Sequence, residues 1–124
     1  MKWLLPLALA LLLTACGGAA APAPARPPTP ATHQVVYKVL GPQYTKARVT
    51  MRNAQGNTEQ HEVSLPWETR LTVTGRQFLY LSAQTQSGRA ETQITCGISV
   101  GGRTVAQATS DGSFAIVSCD GSSE

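Results

Sequence analysis

No helical period of useful length runs through this chain of 124 residues. Its one long apolar run, Trp3 to Leu13, is broken only by Pro6. As a helix that run would be about 16 Å long, roughly half the ~30 Å hydrocarbon core of a bilayer, so it is too short for an ordinary spanning segment. The usual catalytic and metal patterns are missing too. There are two histidines, His33 and His61, and neither stands in a ligand spacing such as HExxH. There is no G-x-S-x-G elbow, and Gly101-Gly102-Arg103 lacks the phosphate-loop pattern. Glu59, Glu62, Glu68, Glu91 and Asp111 are scattered over turns and wet strand faces. No enzyme, metal or cofactor is expected from such a set. The formal net charge is +3, one unit of it from Lys2, and the basic residues are dispersed singly, which argues against a nucleic-acid partner.

What is present begins with an address. Met1-Lys2 followed by a short apolar run is the layout of a secretory signal peptide. Leu13-Thr14-Ala15-Cys16 resembles the bacterial lipobox: a large aliphatic residue, two small ones, then a cysteine whose thiol can take a diacylglyceryl group. That reading makes Cys16 the lipidated N-terminus, and two or more acyl chains hold a protein on a membrane where one does so only marginally. Gly17 is not the aspartate that resembles an inner-membrane retention signal in diderm bacteria, which leaves an outer-membrane destination open. The expected product is an exported lipoprotein facing the periplasm or the cell exterior. From Gly17 to Thr32 the chain is almost wholly Gly, Ala, Pro and Thr, and it holds five of the eight prolines. Nothing large and apolar is there to bury, so this segment reads as a stiff spacer near polyproline II, reaching at most roughly 50 Å.

Beyond His33 the period becomes two. Val35, Tyr37 and Val39 alternate with Val36 and Lys38 up to the turn signal Gly41-Pro42. Ala47, Val49 and Met51 alternate with Lys46, Arg48, Thr50 and Arg52 in a strand wet on one side. After the hairpin turn Asn53 to Asn57, the return strand places His61, Val63 and Leu65 on one side, with His61 read as a half-buried structural histidine, and Pro66 stops it. His33, at the linker edge, reads as solvated. Leu71 and Val73 mark a fourth strand, and Leu79, Leu81 and Ala83 face inward on a fifth. Ile94, Cys96, Ile98 and Val100 alternate before Gly101-Gly102, a two-residue hairpin signal. Asp111-Gly112 makes the last turn, Phe114 to Cys119 the last strand, and Asp120 onward is polar. Seven to eight short strands at such spacing argue for an antiparallel β-sandwich. With lipid on Cys16 an even pair of cysteines remains in an oxidising compartment, which favours a Cys96–Cys119 bridge over two free buried thiols. The expected organisation is a signal peptide over 1–15, the lipidated cysteine and linker over 16–32, the sandwich over 33–120, and a polar tail over 121–124.

VVYKVLG at 35–41, LPW at 65–67, ITCGISVGGR at 94–103 and the closing Cys119, in that order and spacing, resemble the MmpS family of small actinobacterial membrane proteins. The resemblance implies an Ig-like β-sandwich outside the cytoplasmic membrane that assists RND-type MmpL transporters exporting lipids or siderophores. It also implies that Cys96 and Cys119 match the family disulfide and that Leu65-Pro66-Trp67 matches an inter-strand corner. The lipobox and proline linker stand here where compared family members carry an uncleaved transmembrane helix.

Three aromatics are the candidate contact residues. Trp67 reads either as packing over an open end of the sandwich beside Pro66 or as an exposed anchor, since Trp is enriched at interface hot spots. Phe78 and Tyr80, opposite Leu79 and Leu81, mark a central strand or a sticky patch. Two functions follow as expectations. One is a lipid-anchored envelope accessory protein that contacts a transporter or another envelope protein. The other is a carrier holding an apolar ligand between its sheets or against the Phe78 face.

Overall fold

The structure is a computed structural model that describes residues 29–124. The segments expected to be a signal peptide and most of a linker, with Cys16 between them, lie outside these residues. Eight antiparallel strands follow one another: β1 (Thr32–Leu40), β2 (Lys46–Arg52), β3 (Thr58–Ser64), β4 (Trp67–Thr74), β5 (Phe78–Thr85), β6 (Gln93–Val100), β7 (Arg103–Asp111) and β8 (Ile116–Ser122). They form two four-stranded sheets in the orders β4-β1-β6-β7 and β3-β2-β5-β8, packed as a sandwich.

The inward positions are those the alternation marks. Val35, Tyr37, Val39, Ala47, Val49, Met51, Leu79, Leu81, Ala83, Ile94, Cys96, Ile98, Val117 and Cys119 are buried in one core. Because side chains alternate across a strand, each of these runs leaves its odd members dry and its even members wet, or the reverse. The Gly101-Gly102 turn takes φ of 58° and 81°, the left-handed conformation that a two-residue hairpin of this kind requires. Cys96 on β6 and Cys119 on β8 are bridged, with Cα atoms 6.1 Å apart, so the disulfide ties one sheet to the other. Tyr37 makes a second tie: from β1 its hydroxyl crosses the core and donates to the Arg52 carbonyl of the other sheet at 2.9 Å.

The two sheets are not evenly spaced. They approach each other on the β7/β8 side and splay on the β3/β4 side. On the close side Gly121 matters, since a Cβ there would stand 3.3 Å from the Val105 Cγ2 of β7. On the splayed side the chain passes from one sheet to the other at Leu65-Pro66. Backbone bonds hold that corner, from Leu65 N–H to the Thr45 carbonyl at 2.8 Å and from Tyr44 N–H to the Leu65 carbonyl at 3.2 Å.

Three features differ from the sequence expectation. The residues 121–124 are not a free tail: β8 runs to Ser122, and Ser123 is buried. Its hydroxyl donates to the Gly75 carbonyl at 2.7 Å and accepts from Gln77 N–H at 2.8 Å. His33 is not simply solvated, because its Nε2 lies 3.1 Å from Glu124 Oε1. Phe114 and Ala115 precede the last strand rather than open it, and Phe114 takes a φ of 53°, which no strand residue can hold. The first and last described residues thus meet at the β4–β5 turn, where Gly75 N–H also donates to the Ala31 carbonyl at 2.7 Å. The described chain therefore begins at this pole. The β1–β2, β5–β6 and β7–β8 loops lie at the other.

Candidate functional site

Trp67 opens β4 opposite Val39 and packs against the core from the splayed side of the sandwich. It lines a groove of about 310 Å³ between β3 and β4, together with Met51, Val63 and Leu71 as apolar walls. Glu59 and His61 stand on the same side of β3 as Val63 and line this groove as well. His61 is exposed rather than half-buried. It shares a face with Val63 as expected, but β3 is an edge strand on the side where the sheets part, so nothing covers it. Polar side chains turned inward on an edge strand also hinder pairing with another chain. Trp67 is neither fully packed nor free; it is the largest wall of a half-open lateral groove, and the opening is along the side of the sandwich rather than at its end.

Phe78 and Tyr80 are elsewhere. β5 lies between β2 and β8, so it is a central strand, and both rings point outward from it. Phe78 is half exposed beneath the Arg52 guanidinium, 5.8 Å from the ring centroid, a cation–π geometry. Tyr80 is partly buried and paired across from Asp120. Around them the outer face carries Arg48 and Glu62, 3.6 Å apart, and Thr50. The structure does not bring Trp67 together with Phe78 and Tyr80: the first faces the space between the sheets, the others the outside of one of them. Cys96 and Cys119 are buried and bonded to each other, a structural role. Cys16 lies outside the described residues.

The interior itself is filled. Val35, Tyr37, Val39, Val49, Leu81 and Ile98 are all fully buried, and the Tyr37 hydroxyl bridges the two sheets among them. Loss of water around this phenol raises its pKa above the usual 10; a backbone hydrogen bond at Tyr80 and the Arg52 charge act in the opposite direction. Among the described residues no group of three or more His, Cys, Asp and Glu is placed to hold a metal ion.

Tyr44 and Phe114 were not marked by the sequence. They are among the large apolar side chains that remain exposed, and both have positive φ, 68° and 53°. The signal was present but weak. Tyr44 follows Pro42 in a turn and Phe114 follows Asp111-Gly112, and the alternation that identifies strands says nothing about where a loop aims a ring.

Compared with known proteins, the chain matches no family model and none of the curated proteins.

Proposed function

We propose that this protein is a lipid-anchored accessory protein of the cell envelope that works by contact with another envelope protein. An RND-type transporter of the MmpL kind is the partner that the resemblance to the MmpS family implies. The filled interior carries this reading. With the space between the sheets occupied by packed side chains and crossed by Tyr37, the aromatic groups free to meet another molecule are on the outside. A lipid on Cys16 and a stiff linker would hold such a domain tens of ångströms from its membrane, where extracytoplasmic parts of a transporter stand. A protein so tethered acts by position and surface.

The groove beside Trp67 favours a second reading, a carrier of an apolar molecule. Its ~310 Å³ is at the small end of the ~300–1,000 Å³ typical of ligand sites, and it lies along an open side where a ligand would stay largely exposed. The contact reading therefore comes first. Isolation of the protein from native envelopes separates the two. Contact predicts a co-purifying envelope protein, lost with Cys16→Ser as that variant leaves the membrane fraction. A carrier predicts an apolar molecule in the eluate, lost with Trp67→Ala, and no second protein.

A further inference from the structure

Among the described residues, Leu40, Tyr44, Phe78, Val105, Phe114 and Ile116 are the large apolar side chains left exposed. Leu40, Tyr44, Phe114 and Ile116 all lie at the pole opposite the chain's entry, on the β1–β2 and β7–β8 connections or the strand ends beside them. Tyr44 is the most open, at 83 %. The same two connections hold the non-glycine residues with positive φ, and these are the aromatic ones, Tyr44 and Phe114.

That coincidence runs against local preference. Thr45 N–H donates to the Pro42 carbonyl at 3.1 Å, which makes Tyr44 the third residue of a four-residue turn. Positive φ in that place is the type II pattern, a place glycine fills without strain and a side chain does not. Phe114 is held in the same region of backbone space by its N–H, which donates to the Ser87 carbonyl at 2.8 Å, and its ring stands against Gly88. Neither ring recovers the strain by burial. Strained residues of this kind gather where a protein meets something else, and the inference runs from the strain to the function.

The surroundings say what that something is. Between the two rings runs the 86–92 loop, and beside Tyr44 it leaves a depression of about 440 Å³ lined by Ser87, Arg89, Glu91 and Thr92. Its hydrogen-bonding groups and the Glu91 carboxylate suit a protein surface and oppose insertion into a bilayer. Lys46 and Arg89 have no ion-pair partner among the described residues, and the Glu91 and Asp111 carboxylates stand at the same pole, so the rim around the rings carries both signs of charge. The nine-residue β1 spans roughly 30 Å from the entry to this pole, at ~3.3 Å per residue. We propose that the Tyr44–Phe114 pole is the docking surface for a folded protein whose apolar face is edged by polar and charged groups and which stands beyond the domain as seen from its tether. This rests on the contact reading and names its surface.

The test is photo-crosslinking of the full-length protein in its own cells. The reactive residue is placed in turn at Tyr44, Phe114, Phe78 on the outer sheet face, and Thr72 on the other sheet. The expected result is one protein adduct shared by Tyr44 and Phe114 and absent at Thr72. That protein, identified by its peptide masses and purified, should bind the wild type at least tenfold more tightly than a Tyr44→Gly/Phe114→Gly variant. The glycine variant should melt no lower than the wild type, because glycine relieves both turns. A lower melting point with unchanged binding assigns the rings a structural role and overturns the proposal. An adduct at Phe78 alone moves the surface and leaves the contact reading standing. Lipid adducts at Tyr44 and Phe114 make the pole membrane-facing and overturn it. Absence of a protein adduct at every position overturns both the proposal and the contact reading.

Discussion

Two polar side chains reach into the core from opposite sheets, Tyr37 from β1 and Thr85 from β5, and only one finds a partner. Tyr37 donates its hydroxyl to the Arg52 carbonyl at 2.9 Å; the Thr85 hydroxyl, on a residue 1 % exposed, has no hydrogen-bond partner. A buried hydroxyl without a partner costs free energy that an isosteric methyl does not. Thr85→Val should therefore raise stability by about 1 kcal/mol, read as a higher denaturant midpoint with an unchanged slope. Tyr37→Phe should lower it by about 1 kcal/mol or more, since it removes the bond and leaves a carbonyl unpaired. The pH dependence has a definite sign. Folding raises the Tyr37 pKa by desolvation, so its contribution is whole below pH ~10, the unfolded value, and is lost as pH rises through the folded value. Equilibrium unfolding from pH 8 to pH 11 should show a decline in the wild type that is smaller in Tyr37→Phe. At this scale the sequence spoke clearly about which residues are inside, because burial follows the two-residue period. It did not reveal that Thr85 lacks a partner or that His61 is exposed. Both depend on what the neighbouring strand supplies.

Among the elements, β6 and β8 hold the two sheets together through Cys96 and Cys119, which are 23 residues apart in sequence. In the chain-entropy model a loop of that length is worth about 3 kcal/mol, and the domain is small enough for this to matter. Reduction under non-denaturing conditions should lower the unfolding free energy by about 3 kcal/mol, and thiol titration of the oxidised unfolded domain should find Cys96 and Cys119 unreactive. This element pair was legible: alternation placed each cysteine inward, and the compartment favoured a bridge. The ends of the strands were not. Asp120 to Ser123 have the composition of a tail, yet Gly121 and Ser122 pair with Leu79 and Phe78, and Ser123 closes on Gly75 and Gln77. Polar residues can complete a strand when backbone bonds, rather than burial, hold them. Such bonds leave no trace in a hydropathy pattern.

For the whole molecule, the class of fold was readable from strand count and turn spacing. The pairing order, the splay beside Trp67 and the gathering of Leu40, Tyr44, Phe114 and Ile116 at one pole were not. These come from which strands neighbour one another across the sandwich, and sequence periodicity does not carry that. The consequence is a domain with both described ends at one pole and its exposed aromatic loops at the other. This polarity suits a protein that is held from one side and makes contact at the other. Mild extraction of the full-length protein from native envelopes, followed by mass measurement of the intact assembly, tests this most directly. The expected mass is that of a chain lacking residues 1–15, carrying acyl mass on Cys16, in a complex with a second polypeptide. A chain without acyl mass, alone or with only a small apolar molecule bound, would contradict it.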